Sequence, residues 1–249
     1  MPESRRSRTS RRSRTPRRSR RVKGALVLVG LVLVLVGIVG STYSPLFVAR
    51  TIEVEGADHL SPDAVASLAG VSDHTNVFHL DPSVPEAALE ANPWISSSSV
   101  TRDLPSTVWI RIEERTPVAV TEGGDVVAGD GVSLPGARSA GLPAIRASVG
   151  QLDDIGTATA TAALAALAPA VFVEASAAIV APDGTLTVTL RDDLRVDYGV
   201  AGQEEQKAIA LRAVLRWART EGASLVGVDV SVPDTPAATL ANGTTVTPS

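Results

Sequence analysis

An uninterrupted apolar segment constrains this chain more than any other feature. Residues 24–43 (GALVLVGLVLVLVGIVGSTY) contain no charged side chain. As a helix, a segment of this length spans about 30 Å, the thickness of the hydrocarbon core of a bilayer. It has no polar face, which disfavours a helix packed in a soluble core. A cleaved signal peptide would have a shorter apolar region, about 7–15 residues, and a small-residue cleavage site. We find no convincing site of that kind, so the segment predicts one transmembrane helix.

The charge of the chain is divided at this segment. Residues 1–23 hold 11 of the 23 Lys and Arg residues and one acid, whereas the rest holds 12 basic and 26 acidic residues. The positive-inside rule therefore places the basic end in the cytoplasm and everything after Tyr43 outside.

The basic head, residues 1–23, has almost nothing apolar to bury. We expect a disordered cytoplasmic tail that is attracted to anionic lipid. Regulation by phosphorylation of its serines and threonines is an alternative role. The positive charge would allow nucleic-acid binding, but the sequence contains no known nucleic-acid-binding motif. We therefore expect no nucleic-acid partner.

Residues 44–115 have the pattern of a small α+β domain, which starts with one strand and two short helices. Alternation of apolar and acidic residues over 52–55 predicts a strand. A short helix follows, with Ser61 as its N-cap and Gly70 at its end. A second short helix has Asp81 as its predicted N-cap and Pro82 as its first residue.

Two strands close this segment, joined near Leu104-Pro105-Ser106. In the second strand, three apolar residues point to one face and three large polar or aromatic residues to the other. The inward set is Val108, Ile110 and Ile112, and the outward set is Trp109, Arg111 and Glu113. The order β-α-α-β-β predicts two helices on one face of a three-stranded sheet.

Residues 116–240 predict a second, mixed antiparallel α+β domain. Short strands come first, followed by an Ala- and Leu-rich helix and by three strands with a two-residue hairpin at Asp183-Gly184. The most amphipathic helix of the chain ends at Gly222, and one or two strands follow it. Residues 241–249 are expected to be a disordered tail. The predicted apolar stripe of the amphipathic helix is Ile209, Leu211, Val214, Leu215 and Ala218.

The side chains offer little for catalysis. Cysteine is absent, which excludes thiol nucleophiles, disulfides and thiolate metal sites. His59, His74 and His79 have no ligand-spaced carboxylate partner, and we find neither a serine-nucleophile elbow nor a Gly-rich phosphate loop. The acidic pairs at 192–193 and 204–205 are sequence neighbours whose side chains diverge. We therefore expect no enzyme activity, metal, cofactor or small-molecule substrate, and expect recognition of partner proteins instead.

Several stretches, in order, resemble the bacterial cell-division family FtsQ, also called DivIB. In the first segment they are LFVARTIEVEGADHLSPDAVASLAGV, NVFHLD and NPWISSSSVTRDLPSTVWIRIEERTPVAV. In the second they are GDGVSL, LPAI, LRVDYGVAGQEEQKAIALRAVL and VGVDVSVPDTPAAT. The resemblance covers roughly residues 46–239. It implies a POTRA domain over 44–115 and a β domain over 116–240.

The resemblance also implies a function. Its members are non-catalytic scaffolds of the divisome, single-pass type II membrane proteins at the septum that coordinate septal peptidoglycan synthesis. It implies binding to FtsB/DivIC-like and FtsL-like coiled-coil membrane proteins through the last strands of the β domain. Carried over to this sequence, the contact residues are Val232, Asp234, Thr235, Ala237, Ala238, Thr239 and Leu240.

Other interpretations stay open. Pro233 and Pro236 lack amide donors, which leaves the register of a partner strand undetermined. Arg50, Asp103 and Arg111 could form a second, charged contact surface, or they could be ordinary solvated charges. A membrane-anchored enzyme acting on the cell wall is the alternative function. An export component is a third option, although such proteins usually carry repeated POTRA units or a β-barrel.

Overall fold

The computed structural model describes residues 18–248, with side chains from Ala25 onward. The predicted tail lies outside the described residues up to position 17. Helix α1 spans Arg18–Ser41, and no residue of its apolar part is buried. A helix exposing apolar side chains on all sides is stable in lipid rather than in water. The expected apolar helix is confirmed, and its length is sufficient to cross a membrane.

The first domain is a three-stranded sheet covered by two helices. Strand β3 lies in the middle, parallel to β1 and antiparallel to β2. The predicted order β-α-α-β-β is therefore confirmed. The elements are β1 (Thr51–Glu55), α2 (Pro62–Leu68), α3 (Ser83–Glu90), β2 (Ile95–Asp103) and β3 (Thr107–Glu114).

Alternation along β3 builds the core of this domain. Val108, Ile110 and Ile112 are buried, whereas Trp109 between them is 40% exposed. At the start of α2, the Ser61 hydroxyl accepts the Ala64 N–H at 3.2 Å, as its capping role predicts. Helix α3 begins at Ser83, one residue later than predicted, and the Asp81 carboxylate accepts the Ser83 N–H at 3.1 Å.

The second domain is built on one nine-stranded sheet. Its order is β12-β11-β10-β9-β8-β7-β6-β4-β5, with parallel pairing at β4/β6, β6/β7 and β9/β10. Helices α4 and α6 pack on the sheet and on each other. The elements are β4 (Pro117–Val120), β5 (Val126–Ala128), β6 (Ala144–Ala147), α4 (Asp154–Ala166), α5 (Pro169–Phe172), β7 (Ala175–Val180), β8 (Leu186–Leu190), β9 (Arg195–Gly199), α6 (Glu204–Glu221), β10 (Leu225–Asp229), β11 (Ala237–Leu240) and β12 (Thr245–Val246).

The buried face of α6 differs from the predicted stripe at one position. Leu211, Val214, Leu215 and Ala218 are buried as predicted, but Ile209 is 57% exposed. A residue two positions from Leu211 lies about 200° around the helix, so the two cannot share a face. The buried face continues instead through Ala210, Ala208 and Lys207.

Two further expectations need correction. In the β7–β8 hairpin, Ala181 N–H donates to Thr185 O at 2.8 Å, so three residues rather than two form the turn. At the C-terminus, the expected disordered tail is wrong for Thr245 and Val246. These residues pair with β11, and Val246 packs against the core of the second domain.

Candidate partner-binding site

Strands β10, β11 and β12 form one end of the nine-stranded sheet. Ala238 in β11 lies opposite Val228 of β10 on one side and Val246 of β12 on the other. Leu240 N–H donates to Thr244 O at 2.9 Å, which closes the turn between β11 and β12. In the described part of the chain, β12 pairs with β11 alone, so its outer edge is the end of the sheet.

The structure divides the seven predicted contact residues between a loop and a strand. Val232, Asp234 and Thr235 are exposed in the loop that follows β10. Ala237, Thr239 and Leu240 are half-buried in β11, and Ala238 is fully buried. Ala238 is therefore a core residue whose strand is paired on both sides, so it supports the site without offering a free side chain or a free strand edge. Val228 in β10 and Val230 just after it are buried.

Sequence reasoning missed β12, which covers the strand predicted to be the dock. The signal was present in Asn242-Gly243, a dipeptide that favours tight hairpin turns between alternating strands. Gly243 has a φ of +83°, and the Asn242 carboxamide oxygen accepts the Thr244 N–H at 3.0 Å. The predicted contact strand is thus the second strand from the end of the sheet.

Arg115 joins the two domains at the end of β3. Its Nε–H donates to the Asp130 carboxylate of the second domain at 2.7 Å. Its Nη1 donates to the carbonyl oxygens of Pro93 and Ile95 in the first domain. Burial alone would raise the pKa of Asp130, but the hydrogen bond from Arg115, the Val132 N–H and the Arg115 charge together lower it below its ordinary value.

One further contact crosses this junction, and two contacts within the first domain support it. Trp94 Nε1–H donates to the Pro135 carbonyl oxygen at 3.1 Å, which links the two domains a second time. The His59 ring stacks on Trp94 with centroids 3.6 Å apart. The Glu114 carboxylate accepts the His59 and Leu60 N–H groups at 2.6 and 2.8 Å, which holds the loop after β1 against β3.

Two cavities flank the Arg115 junction. One, of 540 Å³, has an apolar wall that includes Leu164, Leu167 and Phe172. The other, of 900 Å³, is lined partly by His59 and Trp94. Because both lie where the domains meet, their shapes depend on the contacts of Arg115.

A buried polar group lies where β9 meets the start of α6. Lys207 is 3% exposed, and its Nζ donates to the Val200 carbonyl oxygen and lies 3.7 Å from Glu204. The Tyr198 hydroxyl is buried with no hydrogen-bond partner among the described residues. Burial and the neighbouring Glu204 charge both raise the pKa of Tyr198, so the phenol is neutral throughout the physiological range.

The three histidines make separate contacts. His79 stacks on Tyr43 and lies 2.9 Å from the Thr42 hydroxyl, whereas His59 packs on Trp94 and His74 is exposed. Within residues 25–248, no cluster of three or more histidines and carboxylates is arranged to hold a metal ion. Whether the protein binds a metal stays a prediction from the sequence.

The first domain matches a known domain type. Residues 47–115 match the FtsQ-type POTRA domain. Over 76% of its length the chain is 27% identical to the cell division protein FtsQ of Corynebacterium glutamicum, and the match covers 89% of that protein. The chain is therefore similar to cell division proteins FtsQ over most of its length, and its first domain is of the FtsQ type. Its FtsQ-type POTRA domain is the β-α-α-β-β unit described above.

Other FtsQ relatives match over different lengths. The chain is 29% identical to the FtsQ of Mycolicibacterium smegmatis over 78% of its own length but spans only 58% of that protein. It is 34% identical to the FtsQ of Syntrophotalea carbinolica over 31% of its own length and 27% of that protein. These relatives are named as cell division proteins, and the apolar helix of this chain is consistent with a membrane anchor.

Proposed function

We propose that this chain is a non-catalytic scaffold of the divisome. Its apolar helix anchors it as a single-pass type II membrane protein with residues 1–23 in the cytoplasm. Its POTRA domain over 44–115 and β domain over 116–240 lie outside, at the septum. There it binds FtsB/DivIC-like and FtsL-like coiled-coil proteins and so coordinates septal peptidoglycan synthesis.

The observation that carries the proposal is the open end of the nine-stranded sheet in a chain similar to FtsQ proteins. Sheet edges leave N–H and C=O groups that a partner strand can pair with. The outer edge of β12 is open among the described residues, and the loop that precedes β11 carries Val232, which is 56% exposed. An open edge and an exposed apolar side chain at the same end of the sheet order suit an extended segment of a partner protein.

The contact residues we propose are the exposed loop residues first and the strand residues second. Side-chain contacts come from the loop residues Val232, Asp234 and Thr235. The strand residues Ala237, Ala238, Thr239 and Leu240 form β11, which holds β12 in place, and the partner strand pairs with the outer edge of β12. Pro233 and Pro236 lack N–H groups, so this loop cannot form a continuous ladder of backbone hydrogen bonds with a partner strand. It can bind the partner through its side chains and carbonyl oxygens.

A co-purification experiment tests this proposal. The full chain is expressed with FtsB/DivIC-like and FtsL-like proteins of the same bacterium, and the complex is purified through a tag on the full chain. We expect Val232→Glu to reduce recovery of both partners by about tenfold or more, because a charge is placed at an apolar contact. Val173→Glu is the matched control, since Val173 is also an exposed valine of the second domain, at 63%.

The same variants are then compared in cells. We expect Val232→Glu, unlike Val173→Glu, to produce filaments while the protein remains at its normal level. Equal recovery of the partners with both variants would contradict the proposal that Val232 lies in the binding site. Turnover of cell-wall polymer by the purified chain would favour the alternative of an anchored wall enzyme.

A further inference from the structure

The sheet edges of this protein are closed to different degrees. On the outer side of β2, the N–H groups of Ser98 and Val100 donate to the Glu90 and Glu86 carboxylates of α3 at 3.2 and 2.7 Å. On the outer side of β5, Ala128 N–H donates to Val132 O at 2.9 Å. Helix side chains and a returning loop therefore satisfy the backbone that these two edge strands would otherwise expose.

The outer side of β1 lacks such cover. Just before the strand, the Ala49 N–H donates to Thr75 O at 2.8 Å, so the edge is closed up to that point. From Ile52 to Glu55, β1 pairs only with β3, and no hydrogen bond reaches its outer side from any described residue. Ile52 and Val54 are only half-buried, although they face the core of the domain. The strand therefore has both backbone and apolar surface left for a fourth strand.

The charge beside this edge indicates which segment would bind. Glu53 is exposed and has no basic side chain within 4.0 Å among the described residues, whereas Glu55 is already paired with Arg111 at 2.7 Å. Trp109 lies opposite Glu53 in the β1–β3 register and is 40% exposed. A carboxylate beside an accessible indole ring suits a Lys or Arg side chain.

The whole first domain favours the same sign of partner. Between residues 44 and 115 there are four arginines, no lysine and eleven acids. This excess of negative charge repels anionic lipid headgroups and attracts basic segments.

We propose that the outer edge of β1 binds an extended, basic segment of a partner protein. The segment adds as a fourth strand of the first domain, places a Lys or Arg beside Glu53 and Trp109, and covers Ile52 and Val54 with apolar residues at alternate positions. This site lies on a different domain from the dock proposed above, so the two proposals can fail separately.

Hydrogen exchange of the full chain in nanodiscs of zwitterionic lipid tests this inference. The probe is the capped peptide TVKVRVT, which alternates apolar and basic residues. We expect the peptide to slow amide exchange at residues 52–55 and not at 245–246. The Glu53→Lys substitution should weaken binding by about tenfold, because an attractive pair across the strands becomes repulsive. Asp63→Lys is the matched control, an exposed acid of the same domain that should bind the peptide as the parent does.

Two further peptides separate strand addition from simple charge attraction. The peptide TPKPRPT has the same charge but cannot form a continuous ladder, and TVEVEVT has the strand pattern with opposite charge. We expect neither to protect residues 52–55. Equal protection by TPKPRPT, unchanged affinity after Glu53→Lys, or protection confined to 245–246 would each overturn the proposal.

Discussion

Tyr198 places a hydroxyl group in the core of the second domain without a hydrogen-bond partner among the described residues. A buried hydroxyl that loses water and gains no partner destabilises the folded state by about 1–3 kcal/mol. We therefore expect Tyr198→Phe to leave the free energy of unfolding unchanged or to raise it by about 1 kcal/mol in chemical denaturation of the full chain. Tyr43→Phe, at the other tyrosine, which is 69% exposed, should have no effect.

A loss of stability in Tyr198→Phe would contradict this expectation and indicate that the hydroxyl has a partner such as an ordered water. The inward position of Tyr198 follows from strand alternation with Val196. The missing partner does not follow from the sequence, because it depends on how α6 lies over β9. For the same reason the burial of Lys207 was not predicted: a lysine near a helix start is ordinarily exposed.

At the scale of an element, two glycines allow the cost of a strained backbone to be compared with the cost of a steric clash. Gly56 follows β1 with a φ of +83°, and a Cβ there would lie within 2.0 Å of the Ile112 carbonyl oxygen. Gly70 ends α2 with a φ of +65° but faces open space. Gly70→Ala should cost about 1 kcal/mol of stability from strain alone. Gly56→Ala should cost at least about 2 kcal/mol more, because β1 must move away from β3.

Thermal unfolding of both glycine variants with the parent measures this difference. Equal losses would mean that the loop at Gly56 relaxes without moving β1. Sequence reasoning identified Gly70 as a helix stop from its position after the apolar face of α2. It could not identify the close approach at Gly56, which arises from the packing of β1 against β3, a contact between residues distant in the chain.

How well the elements could be predicted depended on how local their signals are. Strand β3 alternates strictly and follows a clear turn from β2, and both strands of this hairpin were predicted. Strand β12 has two residues, too few for alternation to register, so only the Asn242-Gly243 turn could have indicated it. The seven predicted contact residues were placed by resemblance, and the sequence could not reveal that β12 lies outside them.

For the whole molecule, the Arg115–Asp130 pair predicts a response to acid. The folded-state pKa of Asp130 is lower than its unfolded value of about 3.9, so the pair stabilises the junction above about pH 4 and this contribution disappears as the pH falls further. Because the Asp130 side chain is 48% exposed, the contribution is about 1 kcal/mol or less. We expect small-angle scattering of the full chain to be constant from pH 8 to 5 and to report looser domains below about pH 4.

Substitution of the acid tests the same contact at neutral pH. Asp130→Asn should loosen the domains at pH 7 and remove much of the acid transition, whereas Asp125→Asn, at an exposed acid with no ion pair among the described residues, should behave as the parent. An unchanged acid transition in Asp130→Asn would assign it to another carboxylate.

The hydrogen bonds of Arg115 to both domains also have a mechanical consequence. Tension applied between the apolar helix and the far end of the nine-stranded sheet must pass through the short connection after β3, where one guanidinium holds two carbonyl oxygens on one side and a carboxylate on the other. These contacts favour one relative arrangement of the two domains. An assembly that engages both ends therefore spans a defined distance for as long as the Arg115 contacts persist.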